Sequence, residues 1–163
     1  LVAANDNGAG QIVAAGSLIN LDKLVTNPPA GSRVRALAVA GAFHTDYMSS
    51  AVADVKNLAT KLSIKDPKVI LLSNKDGGLV IDGKDATNRI VNQIANPVRW
   101  DLCMQAMNEI GITGVIELPP AGTLVGLLKR AVPTIETFAL KSPDEIPAAI
   151  EFAQKHAKKL GGT

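Results

Sequence analysis

Short runs of strand-forming residues alternate with stretches of helical period along most of this chain, and that alternation limits it to few architectures. Residues 33–40 set Val34, Ala36 and Ala38 against Arg33, Arg35 and Leu37, a strand-like pattern. Beyond Asp46 the apolar positions Met48, Val52, Val55, Leu58 and Leu62 follow helical spacing. Residues 68–72, in which an apolar, β-branched run follows Lys68, read as a buried strand. Helices are expected over 86–95, with Ile90, Val91 and Ile94 on one face, and over 99–110, carrying Trp100, Cys103, Met104 and Met107. Strands follow at 114–118 and 134–140 around a helix at 123–130. The last helix begins at Ser142-Pro143-Asp144-Glu145, where Ser142 can cap, Pro143 suits the first helical position and Glu145 can reach back. Such a rhythm argues for an α/β fold with a mostly parallel sheet covered by helices. The start departs from it. Residues 1–4 and 11–15 read as two strands around the turn cluster Asn5-Asp6-Asn7-Gly8, and 18–25 as a helix stopped by Asn27-Pro28-Pro29. These belong to a smaller α+β unit joined near Ala40.

Composition removes several function classes. With 163 residues the chain can bury a core, and 47% hydrophobic residues with 20% charged ones describe a globular protein. A formal net charge of +2 and the lack of a Lys/Arg stripe argue against nucleic acid as a partner. No apolar run reaches membrane-spanning length, so no membrane partner is expected. One cysteine, Cys103, excludes an internal disulfide and suits a reducing cytoplasm; it reads as core packing. Two histidines and one cysteine without ligand spacing predict no metal site.

His44, in "GAFHTDYM", is the candidate for chemistry. It stands between an apolar run and a helix start. Two readings are open: a histidine bonding locally where strand becomes helix, or a general base at a strand's C-terminal end, where α/β folds place their sites. His156, within Gln154-Lys155-His156-Ala157-Lys158, reads as a solvated surface residue. A nucleophile for His44 is missing from the sequence. There is no G-x-S-x-G elbow; Gly16-Ser17-Leu18 and Gly31-Ser32-Arg33 lack the second glycine and a preceding buried strand. Phosphate-binding and dinucleotide-binding glycine motifs are absent as well.

"NDNGAGQIVAAG" (5–16), "VAGAFHTDYMSSA" (39–51), "NQIANPVRW" (92–100) and "GVIELPPAGTLVGLLKR" (114–130) occur in the order and near the spacing found in malonyl-coenzyme A:acyl carrier protein transacylases, and the chain resembles that family over essentially its whole length. It departs from the family at Pro119-Pro120-Ala121-Gly122, where a Gly-Pro-Gly turn is common. The resemblance implies the C-terminal part of an α/β-hydrolase-like acyltransferase domain (residues 41–163) plus part of a ferredoxin-like small subdomain (residues 1–40), entered after that subdomain's first strand and helix.

It also implies roles. His44 falls on the catalytic histidine, oriented by a main-chain carbonyl from the segment at Gln93 rather than by a carboxylate. Phe43 falls where an aromatic residue goes with malonyl use, and Asn7 and Gln11 on an asparagine and a glutamine bordering the cleft, where a turn role is at least as good a reading. The implied partners are malonyl-coenzyme A as substrate, acyl carrier protein as acceptor, and the N-terminal portion holding the serine elbow, the carboxylate-binding arginine and a Gly-Gln-Gly segment. No cofactor is implied. Two alternatives remain: an acyltransferase domain of a polyketide or multifunctional synthase, disfavoured by an ending in a lysine-rich helix and Gly161-Gly162-Thr163, and a non-catalytic interaction module that kept the fold. A chain of this kind is expected to show exposed apolar surface and, alone, no transacylase activity.

Overall fold

A computed structural model describes residues 1–157; Lys158 and Gly161-Gly162-Thr163, invoked above, lie outside the described residues. Its first strands, β1 (Val2–Asp6) and β2 (Ile12–Ala15), form an antiparallel hairpin with an irregularity between Ala3 and Asn5. The turn between them is held by Asp6, whose carboxylate accepts from Gly8 N–H at 3.0 Å, and by a return bond from Asn7 N–H to the Gln11 carbonyl at 2.9 Å. Helix α1 (Leu18–Thr26) follows, with the Ser17 hydroxyl accepting from Asn20 N–H and Asn27 closing its end before the two prolines.

No strand forms over residues 33–40, which correct the expectation from alternation: their one backbone bond among themselves is Val39 N–H to Leu37 C=O. Alternating sequence alone cannot make a strand; it needs a neighbour to bond with, and none runs beside this segment among the described residues. The same holds for residues 68–72. They join a hairpin only at its tip, through a Leu72–Leu79 bridge, and Val69 and Ile70 are 79% and 69% exposed rather than buried. An apolar run marks a segment that wants cover; here the cover is absent.

The helices match expectation more closely. A 3₁₀ turn (Asp46–Met48) leads into α2 (Ser49–Ala59), which packs on α3 (Gly83–Gln93) but buries none of its own residues. Asp82 caps α3 by accepting from Asp85 N–H at 2.7 Å. Then come β3 (Val98–Arg99), which pairs parallel with β1, and α4 (Trp100–Glu109). β4 (Gly114–Glu117), α5 (Thr123–Ala131) and β5 (Glu136–Ala139) make a parallel β-α-β unit, with a cis peptide bond at Pro119-Pro120 after β4. A 3₁₀ turn (Pro143–Glu145), steadied by the Glu145 carboxylate on Ser142 N–H, starts α6 (Ile146–Ala157), which packs on β4. The core lies among α4, α5 and β4: Met104, Leu127, Leu128 and Ile135, flanked by Trp100, Met107 and Val115.

His156 is the third correction. It is 7% exposed, not solvated. Its Nδ1 lies 2.9 Å from the Thr113 hydroxyl, its ring packs on Phe152 at 4.5 Å, and its Nε2 is 3.7 Å from the Glu136 carboxylate. Lys155, exposed beside it, belongs to the outer face of α6. Ala149, Phe152 and His156 recur at helical spacing and form its inner one, a signal present in the sequence.

Candidate active site

Residues 41–45 make a tight loop. Thr45 is buried, and its hydroxyl donates to the Ala42 carbonyl at 2.6 Å while its own carbonyl accepts Met48 N–H. The loop turns at His44, whose φ of 62° lies in the left-handed region that a residue with a Cβ rarely adopts. Holding such a backbone costs on the order of 1–3 kcal/mol, and surrounding bonds must impose it. Since residues 33–40 form no strand, His44 sits in this loop rather than at a strand's C-terminal end.

The conformation aims the imidazole at helix α3. Nδ1 lies 2.8 Å from the Gln93 carbonyl oxygen. A carbonyl can only accept, so Nδ1 carries a proton, and the neutral form of the ring held this way has its lone pair on Nε2. A neutral acceptor fixes the tautomer while stabilising an imidazolium less than a carboxylate would. Gln93 is itself pinned: its side-chain amide donates to the Asn96 carbonyl at 2.8 Å and the Pro97 carbonyl at 2.7 Å. The side chain closes the end of α3 so that the residue's own carbonyl is left facing His44. Thus two residues singled out in the sequence, 49 positions apart, meet.

Both line a cavity of about 590 Å³ walled mainly by apolar side chains, including Leu72, Val80 and Ile90. Cys103, also on its wall, is not a competing nucleophile: burial, followed by the nearby Asp101 and Asp76 charges, pushes its thiol up to about 11. It donates to the Ser73 carbonyl, as a packed core residue does. Phe43 is 48% exposed, so it does not plug the core; its ring edge lies over Gly41.

Asn7 and Gln11 do not join His44 by any hydrogen bond among the described residues. They occupy the β1–β2 turn, which rests on α4 through Gly8, and the Gln11 side chain accepts from Arg130 of α5 at 2.8 Å. Two supporting residues escaped the sequence reading. Arg89 bridges Asp76 at 2.8 Å and Asp85 at 2.9 Å, tying the 73–78 turn to α3; the Asp85–Arg89 spacing of four was the available signal. Glu117, buried at the end of β4, accepts from Gly122, Leu124 and Val125 N–H at 2.8–3.0 Å and so caps α5. An acid closing a strand just before a proline-glycine turn and a helix is its sequence signature.

Among the described residues no helix is long and apolar enough to cross a membrane, and no group of three His, Cys, Asp or Glu side chains could hold a metal ion. No family model matches the chain. The malonyl CoA-acyl carrier protein transacylase of Mycobacterium tuberculosis is 48% identical over 146 residues, covering 90% of this chain and 48% of that protein. The Escherichia coli protein of that name is 30% identical over 150 residues, 91% of this chain and 48% of its own length. Among solved structures, MCAT from M. tuberculosis superposes with a TM-score of 0.87 at 47% identity, over 90% of this chain and 49% of that one. The malonyl-CoA:acyl carrier protein transacylase of Xanthomonas oryzae gives 0.84 at 30% identity, over 92% and 48%. The α/β class read from the sequence is therefore borne out, and the chain spans about half the length of the curated relatives it matches. In sequence and in fold, the chain matches a C-terminal portion of the malonyl CoA-acyl carrier protein transacylases.

Proposed function

We propose that this chain supplies the histidine side of a two-step transfer of malonyl from coenzyme A to acyl carrier protein, in fatty-acid synthesis in the cytoplasm. In this reading residues 1–40 are part of a small subdomain and 41–163 the C-terminal part of the large one. The nucleophile is a serine that the chain does not contain. His44 Nε2 takes the serine proton as Oγ attacks the malonyl thioester, and returns it to the departing coenzyme A thiol. In the second half Nε2 takes the proton of the carrier protein's pantetheine thiol, whose sulfur attacks the acyl-serine, and gives that proton to the serine oxygen as the ester bond breaks, which restores the hydroxyl. One thioester is exchanged for another, so the cycle balances without a redox step or cofactor. A thiol leaves readily; the base matters chiefly in making serine nucleophilic. Asn7 and Gln11 border the cleft, and Phe43 stands beside the acyl group.

The observation that carries the reading is the 2.8 Å bond from His44 Nδ1 to the Gln93 carbonyl, which leaves Nε2 free as a base. The experiment joins the preceding half of the M. tuberculosis relative to residues 1–163 in one polypeptide and measures malonyl transfer. Activity is expected, with His44→Ala lowering the acylation rate by roughly two to four powers of ten. A near-normal rate in the variant refutes the assignment. Residues 1–163 alone are expected to show no turnover.

A further inference from the structure

The left-handed backbone at His44 has to be imposed by its surroundings, because a residue with a Cβ disfavours it. One tether is the ring, held on the Gln93 carbonyl at 2.8 Å. That bond acts on the backbone only through two side-chain torsions. The other tether comes from the next residue. Thr45 occupies the N-cap position of the Asp46–Met48 turn, with the extended backbone (φ −139°, ψ 169°) that this position takes. A threonine there ordinarily turns its hydroxyl forward, to accept from an N–H of the helix it starts. This one makes no such bond. It donates backward instead, to the Ala42 carbonyl at 2.6 Å, and so closes the chain over Phe43 and His44. The Thr45 carbonyl meanwhile accepts Met48 N–H at 2.9 Å, which anchors the residue on the turn. Thr45 is 2% exposed, as sealed from water as the core residue Cys103, so little solvent competes for its hydroxyl. The hydroxyl serves the loop, not the helix.

We propose that Thr45 is a positioning residue: its hydroxyl, closed on the Ala42 carbonyl, holds His44 in the conformation from which Nδ1 reaches Gln93 and Nε2 is presented as the base. The proposal rests on the reading of His44 as that base and adds the group that sets its geometry. Rates depend steeply on such geometry, a misplacement of about 1 Å lowering them by about 100-fold. The competing account is packing, in which the Thr45 methyl fills the loop and the hydroxyl is incidental. Methyl and hydroxyl can be removed separately, so the two accounts predict opposite orders of damage.

The joined polypeptide described above is compared with its Thr45→Ser, Thr45→Ala and Thr45→Val variants by two readouts. One is the acylation rate at saturating malonyl-coenzyme A. The other is the pair of His44 ring-nitrogen NMR resonances of the neutral ring, which tell a protonated nitrogen from one with a lone pair. Thr45→Ser loses the methyl and keeps the donor; it should acylate within about threefold of the parent, with Nδ1 still protonated. Thr45→Ala loses both groups and Thr45→Val loses the donor alone. Each should acylate about 10- to 100-fold more slowly than Thr45→Ser, at a nearly unchanged half-saturating substrate concentration, with the ring averaging between its two tautomers. Ser and Ala leave the same space and differ by one oxygen, so their comparison decides the matter if Thr45→Val fails to fold. Parent-like ring resonances in Thr45→Ala overturn the proposal. So does a Thr45→Ser variant as slow as Thr45→Ala, which assigns the effect to the methyl. The ring is read whether or not malonyl is transferred: an inactive joined protein whose tautomer follows the hydroxyl refutes only the function, and an active one whose tautomer ignores it refutes only the positioning.

Discussion

Glu117 accepts backbone N–H groups from Gly122, Leu124 and Val125, more than any other carboxylate described above. Burial works to raise its pKa, but N–H groups from Val125, Leu124, Gly122 and Thr123 outweigh it, and the carboxyl is held below the usual glutamate value of 4.5. A pKa lower in the folded than in the unfolded chain stabilises the fold above the unfolded value, and that contribution is lost as pH falls through the folded one. Glu117→Gln keeps the shape, removes the charge and turns one accepting oxygen into a donor that faces a backbone N–H. It should cost about 1–3 kcal/mol at neutral pH, with the gap to the parent protein closing as pH falls below the ordinary glutamate value and through the lower folded one. Denaturant titrations at several pH values check this; a gap that stays constant into acid would show that charge is not what α5 reads. Phe43 gives a second test. In the proposed transfer Phe43 would wall one side of the thioester and leave little room for an α-methyl branch, and one methyl is worth about 1–3 kcal/mol of discrimination. In the joined protein, Phe43→Ser should therefore raise the kcat/KM for methylmalonyl-coenzyme A relative to malonyl-coenzyme A by about tenfold or more. An unchanged ratio removes Phe43 from the selectivity reading.

At the scale of elements, the docking of α6 on β4 turns on one close approach. A Cβ at Gly114 would come 2.4 Å from the His156 ring, so the ring or the helix that carries it must shift. Gly114→Ala should force α6 outward at a cost of about 1–3 kcal/mol, and His156→Ala should open the space again. The double variant is then expected to be less destabilised than the two single costs added together, by about 1 kcal/mol in a denaturant cycle. Simple additivity would mean that the contact does not control the docking. The same element shows what a sequence displays and what it withholds. Helix existence was legible wherever local chemistry sets it, as in the Ser142–Glu145 start or the proline stop after α1. The inner face of α6 was legible in principle, and Lys155 beside His156 hid it. The His44–Gln93 meeting was legible only through the family resemblance, since nothing local couples positions 49 apart. Residues 33–40 and 68–72 carry the residues of strands and yet form none, because pairing is a property of two segments.

The whole molecule is where those unpaired segments matter. At 17.0 kDa a compact monomer exposes about 7,700 Å² and buries about 69% of its extended-chain surface. This chain exposes 11160 Å², which leaves about 55% buried by the same scaling. The excess is the size of a large obligate interface. It is also apolar in character: Leu18 and Ile19 on α1, Leu37 and Val39 in the unpaired segment, Val69 and Ile70, Ile81, and Leu58 and Leu62 at the end of α2 and just beyond it are each more than half exposed. Clusters of that kind on an isolated domain bind other apolar surface. Residues 1–163 alone should therefore bind a hydrophobic dye such as ANS and self-associate as concentration rises. Their urea m-value should also fall below that of a compact domain of this length, because m follows the area exposed on unfolding. Joining the preceding half should abolish dye binding and raise m by more than the added residues account for, since the interface is then buried as well. A monomeric, dye-silent chain with a full-sized m-value would mean that these apolar residues find cover within the chain itself, and the expectation that they await a second half would fail.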